Sequence, residues 1–188
     1  METTDILDFL RQKLKPKRLK HVLSVRDTAV SIAPQYGVDQ QQIELAALLH
    51  DCAKWMTNGE LLTTCQHHQI VPDLIEEQNP SLLHAKVGAI LANDRFGIID
   101  QSVLQAVSVH TTGMAKMSTL DKVLFVADYC EPNRSYPGII EVRKLATVDL
   151  NRAALEVARQ KLERQLVTKC MIHPQAVATF NDLLTQIS

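Results

Sequence analysis

Ile43-Glu44-Leu45-Ala46-Ala47-Leu48-Leu49-His50-Asp51-Cys52-Ala53-Lys54 is the stretch on which the fold turns. Up to Leu49 the apolar side chains cover most of a helical circumference, wider than the one-sided stripe of a surface helix. The stretch therefore reads as a helix at the centre of a bundle. Asp39 is placed to cap it, with Gln42 three residues on in the capping-box position. The helix then runs into an imidazole and a carboxylate in greasy surroundings, where both cost free energy unless they are paired.

The same helical period continues on either side. Leu19, Val22, Leu23, Ala29, Val30 and Ala33 fall at three-and-four spacing around a polar break at Arg26. Downstream, Asn79-Pro80 marks the start of a run from Leu82 to Arg95 that Phe96-Gly97 ends. Asp100 caps Gln101 to His110, and Thr111-Thr112-Gly113 stops that helix. Ser118 with Asp121 forms a capping-box pair for Thr119 to Cys130. Glu131 to Gly138 reads as a loop, Asp149 opens a helix to Thr168, and Pro174 opens the last one. No segment alternates as a strand does, and Asn58-Gly59 falls between helical segments rather than between strands. The expectation is an all-α bundle of roughly eight or nine helices, forming one domain over residues 1–188. The C-terminal helices are expected to pack on the rest.

Composition narrows the function. A chain of 188 residues suits one substantial core, and a net charge of −1 advertises neither a nucleic-acid nor a membrane surface. Lys13, Lys15, Lys17, Arg18 and Lys20 form a local basic patch that reads as a solvated helix start. No apolar run nears the roughly 20 residues of a membrane span, and the acidic start Met1-Glu2-Thr3-Thr4-Asp5 does not resemble a signal peptide. Cys52, Cys65, Cys130 and Cys170 contain no CxxC pair and read as small hydrophobes or incidental thiols of a reducing compartment. A cytoplasmic protein without nucleic-acid or membrane partners is expected; a homodimer is left open.

The polar residues in apolar helices carry the chemistry. His21 lies mid-helix, and Asp128 closes Val123-Leu124-Phe125-Val126-Ala127-Asp128. With His50-Asp51, such anomalies on separate helices point to one shared cause at the bundle centre. Neutral imidazole and carboxylate suit Fe, Mn, Co, Ni or Zn, and helical bundles build metal sites from facing side chains. Each residue alone has a plainer reading. His50 and His110 could be last-turn histidines, His21 and His84 core or rim histidines, and Asp128 the partner of an arginine. His67-His68 reads as exposed, His173 as an N-cap or loop residue, and Trp55 as a packing residue.

His21, His50-Asp51 and Asp128, in that order, resemble the H…HD…D signature of the HD-domain superfamily of metal-dependent phosphohydrolases. Arg18-Leu19-Lys20-His21, Leu48-Leu49-His50-Asp51-Cys52-Ala53-Lys54, Leu83-His84-Ala85-Lys86-Val87-Gly88-Ala89, His110-Thr111-Thr112-Gly113 and Ala127-Asp128-Tyr129-Cys130-Glu131-Pro132-Asn133-Arg134 are similar to words of the YqeK family, a resemblance that covers the motif-bearing part of the chain, about residues 17–146. The resemblance implies two divalent metals, iron by family preference, with Mn, Co, Ni or Zn as alternatives. His21, His50, Asp51 and Asp128 would hold one, His84 and His110 the other, with Asp51 bridging. It further implies that diadenosine tetraphosphate is cut symmetrically to two ADP, by metal-activated water attacking an inner phosphorus. His50, Asp51, Lys54 and Arg134 would then be catalytic, and Lys54, Thr111, Gly113 and Arg134 would bind substrate. Arg134 is the stronger phosphate candidate, because a guanidinium meets phosphate oxygens bidentately. Two rivals stand beside this reading. One is another HD enzyme, a 5′-nucleotidase or a guanosine tetraphosphate-type hydrolase, which a mononuclear site would serve without His84 and His110. The other is a nucleotide-binding regulator that keeps the metal for structure.

Overall fold

Residues 3–187 are described by a computed structural model, and every regular element among them is helical. The chain runs α1 (Thr3–Lys13), α2 (Pro16–Ile32), α3 (Gln40–Leu49), α4 (Asn58–His67), α5 (Leu74–Gln78) and α6 (His84–Phe96). It continues with α7 (Gln101–Val109), α8 (Thr119–Cys130), α9 (Ile139–Ala146), α10 (Leu150–Val167) and α11 (Pro174–Thr185). The all-α expectation holds, with eleven α-helices among the described residues where about eight or nine were expected. The surplus lies in short elements such as α5 and α9, five and eight residues long, which give little more than two turns of apolar period at most.

α3 occupies the centre, packed by α2, α6, α7 and α8. Ala46, Ala47, Leu48 and Leu49 are fully buried, as its nearly all-round apolar surface requires. The same core continues through α8, where Val123 to Ala127 are all buried. It extends from Ile6 in α1 to Leu183 in α11, and α10 joins it through Ala153, Ala154, Val157 and Ala158. Among the described residues, no helix is long and apolar enough to cross a membrane.

Local chemistry sets most boundaries. Ser118 and Asp121 form the reciprocal capping box of α8, and Gly97, at φ 62°, closes α6 in the left-handed conformation. Two details differ from the expectations. Asp39 accepts from the Gln42 backbone N–H, but the Gln42 amide turns away from the box and donates to Asp100 Oδ2 at 2.7 Å. That bond ties the start of α3 to the cap of α7. Pro80 opens a 3₁₀ turn over Pro80–Leu83, and α6 itself starts at His84. This displacement puts His84 on the first turn of α6, at the rim of a cavity.

Candidate metal centre

Five helices deliver six side chains to one place. His21 comes from the middle of α2, and His50 caps the C-terminus of α3 with Asp51 directly after it. His84 opens α6, His110 caps α7, and Asp128 sits in the last turn of α8. All four histidines and Asp51 are buried. The sequence-predicted ligands His21, His50, Asp51, His84, His110 and Asp128 are therefore neighbours in space. His21 Nε2 lies 3.1 Å from Asp128 Oδ1, and His50 Nε2 lies 3.4 Å from Asp51 Oδ2. On the other side, His84 Nε2 lies 3.3 Å from Asp51 Oδ1 and 3.2 Å from His110 Nε2. Asp51 thus turns one oxygen to each pair of histidines and belongs to both ligand groups, His21–His50–Asp51 and Asp51–His84–His110.

The far nitrogens show what this centre suits. His50 Nδ1 donates to Ala47 O at 2.7 Å, His110 Nδ1 to Val107 O at 2.7 Å and His84 Nδ1 to Ser81 O at 2.5 Å. His21 Nδ1 donates to Glu131 Oε1 at 3.1 Å. Carbonyl and carboxylate oxygens only accept, so Nδ1 carries the proton in each ring and Nε2 presents its lone pair inward. His50 Nε2 is buried with no hydrogen-bond partner. The lone pairs of His84 Nε2 and His110 Nε2 face each other at 3.2 Å, with the Thr111 hydroxyl and the Lys54 ammonium beside them, an approach that a cation would relieve. The donor set fits divalent metal of the imidazole–carboxylate type.

The electrostatics agree for the carboxylates and for His110; His50 goes the other way, since burial opposes its charge but Asp51 and Asp128 outweigh it and raise its pKa. Burial opposes the charge on Asp51, yet His50 and His84 hold its carboxyl well below the usual range. Burial likewise opposes ionisation of Asp128, and His21, His50 and Lys161 outweigh it. Burial, reinforced by His50 and His84, keeps His110 well below the ordinary imidazole value. A neutral His110 between ionised carboxylates is the state a metal ligand needs.

Beside this centre opens a cavity of about 710 Å³, lined in part by Arg18, Lys54, Arg134, Lys161 and Arg164. Lys54 lies against the His84 ring, its Nζ 3.1 Å from Nδ1 and 3.4 Å from Nε2. Arg134 approaches His21 Nε2 at 3.5 Å and donates to the Tyr136 hydroxyl at 2.7 Å. Thr111 also lines the cavity, its Oγ1 3.2 Å from His110 Nε2. The structure does not bring Gly113 to this wall. Gly113 is buried at φ 69° with Thr179 of α11 packed where its side chain would be, so a Cβ there would lie 2.5 Å from Thr179 Cγ2. Its position serves the docking of α11.

Several participants escaped sequence reasoning. Arg18, read as part of a solvated basic patch, donates to Asp51 Oδ2 at 2.8 Å, while Lys13, Lys15, Lys17 and Lys20 are exposed. It stands three residues before His21 on the same helix face, a signal that was available. Glu131, three residues after Asp128, is 1% exposed and fixes His21; the Asn133 backbone N–H donates to its Oε2 at 2.7 Å. Burial works against the Glu131 carboxylate, but the Asn133 and His21 bonds keep its pKa below the ordinary value. Glu131→Gln is expected to weaken divalent-metal affinity by about 10- to 100-fold with an unchanged fold. A metal titration with equal affinity for both proteins would show that Glu131 does not orient the ligand. The remaining expectations stand: His67 and His68 are exposed, and His173 is the N-cap of α11, accepting from the Gln175 N–H. Trp55 packs edge-on against Phe9 at 6.5 Å, beneath Lys13.

Comparison with known proteins follows the same outline. A family model described as HD domain matches residues 18–133. A protein of Halalkalibacterium halodurans named bis(5′-nucleosyl)-tetraphosphatase, symmetrical, is 39% identical over 96% of this chain and 96% of its own length. A protein of the same name from Bacillus subtilis is 35% identical over 98% of this chain and 99% of its own. A crystal structure from Clostridium acetobutylicum, described as a "predicted HD superfamily hydrolase involved in NAD metabolism", superposes with a TM-score of 0.96 at 35% identity, covering 99% of this chain and 98% of that one.

Proposed function

The chain belongs to the HD domain family, and from that membership we infer that it is a metal-dependent phosphohydrolase cutting diadenosine tetraphosphate symmetrically into two ADP. The observation that carries the reading is Asp51, whose two oxygens face two separate histidine pairs at the mouth of a cationic cavity. We propose two divalent ions, one held by His21, His50, Asp51 and Asp128 and one by His84 and His110, with Asp51 shared. When bound, such ions supply hydroxide near neutral pH and neutralise phosphoryl oxygens.

The chain's own residues do the rest. Glu131, Ala47, Ser81 and Val107 fix the four imidazoles with their lone pairs inward, so the ligands need no rearrangement. Arg134 and Lys54 flank the centre and offer cationic donors to a phosphoryl group whose charge spreads in the transition state. Arg18 neutralises Asp51 from outside and holds its carboxylate in place. Thr111 can donate to a bound phosphate from the histidine side. Attack on an inner phosphorus expels a nucleoside diphosphate, a weakly basic leaving group that needs little protonation. The cavity accordingly contains cations and no carboxylic acid kept neutral.

Iron is our proposed metal, with Mn, Co, Ni or Zn as alternatives, and the cytoplasm is the proposed compartment, where the buried free thiols Cys52, Cys65 and Cys130 stay reduced. Elemental analysis of protein purified without added metal tests the first point; absence of iron would overturn it. The function itself is tested by anion-exchange separation of the products from metal-replete protein and diadenosine tetraphosphate. ADP alone is expected. AMP with ATP would move the attacked phosphorus, and no turnover with iron, manganese or cobalt would sink the assignment.

A further inference from the structure

Lys161 breaks a pattern. Along α10 the buried apolar positions run Leu150, Ala153, Ala154, Val157 and Ala158, with Gln160 buried beside them, and the next residue in that three-and-four series is a lysine. Its ammonium lies 3.9 Å over the Phe125 ring, 3.1 Å from Thr111 O and 3.4 Å from His110 O. Among the described residues it forms no ion pair within 4.0 Å. A partly buried cation held by two carbonyls and an aromatic face stands on a cavity wall, with Asp128 acting on it from beyond ion-pair distance and no anion in direct contact. Arg164 follows three residues on, lines the same cavity and rests over Tyr136 at 5.7 Å. The two residues are separated by roughly 4.5 Å of rise along the helix axis.

We propose that Lys161 and Arg164 grip the polyphosphate, holding the second phosphate of a nucleoside diphosphate unit whose neighbouring phosphate sits at the Asp51 centre. This rests on the phosphohydrolase reading and deepens it: α10 supplies the cations that tell a polyphosphate from a single phosphate ester. Lys161 hangs from the carbonyls of His110 and Thr111, so the grip is built onto the same helix end that presents His110. A nucleoside monophosphate would reach the centre but leave Lys161 and Arg164 without a partner.

The test uses the full-length, manganese-loaded protein and compares calorimetric binding of ADP and AMP to wild type, K161Q, K161R and R164Q. Wild type is expected to prefer ADP. K161Q should cut that preference about tenfold, K161R should keep it within about threefold, and R164Q should fall between them. On diadenosine tetraphosphate, kcat/KM should fall about tenfold more in K161Q than on bis(4-nitrophenyl) phosphate, which has a single phosphorus. Equal weakening of ADP and AMP, with equal losses on both substrates, would overturn the proposal and leave Lys161 as a lock on the end of α7. Unchanged binding would overturn it as well. If K161Q does not fold, R164Q decides on the same ratio, since Arg164 is exposed. Wild type that ignores diadenosine tetraphosphate would sink the substrate reading alone, because the ADP/AMP ratio still reports on Lys161.

Discussion

Asp51→Asn is expected to lower kcat on diadenosine tetraphosphate by at least about a thousandfold, several kcal/mol of transition-state stabilisation. Asparagine keeps the shape and loses the function twice over. Its NH₂ end cannot accept, so it can face only one of the two histidine pairs that Asp51 Oδ1 and Oδ2 serve. It also removes one of the two carboxylates nearest the inward-facing Nε2 atoms, and it leaves Arg18 without the anion it meets at 2.8 Å. Metal content should fall together with rate. The check is single-turnover kinetics with elemental analysis on folded variant protein. Retention of a tenth or more of the wild-type rate would show that Asp51 does not join two ligand groups.

Gly88→Val should cost about 1–3 kcal/mol of stability and lower kcat/KM by about a hundredfold, although Gly88 offers the centre no side chain. Gly88 lets α6 approach α3 so closely that an added Cβ would stand 3.6 Å from the carbonyl oxygens of Leu49 and His50, and 3.3 Å from Val107 Cγ1. A single methyl can be absorbed by a small shift of Val107; the branched side chain cannot, because the carbonyls behind it are backbone. The relief available is a displacement of α6. His84 sits one turn upstream on that helix, so the displacement parts it from Asp51 and His110. Thermal denaturation and steady-state kinetics on Gly88→Ala and Gly88→Val together decide the matter. Alanine should stay close to wild type, and a valine variant with full activity would show that the ligand spacing is not set by this contact.

Much of the fold was written in short-range patterns. The all-round apolar surface of α3, the caps at Asp39, Asp100, Ser118 and Asp149, and the stop at Gly97 are all visible without coordinates. So was the ligand set, because an imidazole or carboxylate in an apolar helix is an anomaly wherever that helix ends up. Lys161 was the same kind of anomaly and passed unnoticed, since a lysine in a well-charged helix looks ordinary until the buried face of α10 is known. Glu131 and Arg18 were hidden differently. Both stand three residues from a ligand, but a loop glutamate and an arginine among lysines carry no apolar background to stand out against. Gly113 misled because its neighbour Thr111 does line the cavity, while its own conformation answers to Thr179, more than sixty residues away in the chain.

The amino-acid sequence by itself determined that this protein is an all-helical bundle whose centre holds imidazole and carboxylate, because helical period and burial of polar groups are properties of neighbouring residues. Only the tertiary structure decided which oxygen of Asp51 faces which histidines, that every Nδ1 is tied to an acceptor so that every Nε2 turns inward, and that α10 and α11 complete the cavity. Those facts depend on the packing of helices far apart in the chain, and packing acts through distances that no local pattern records.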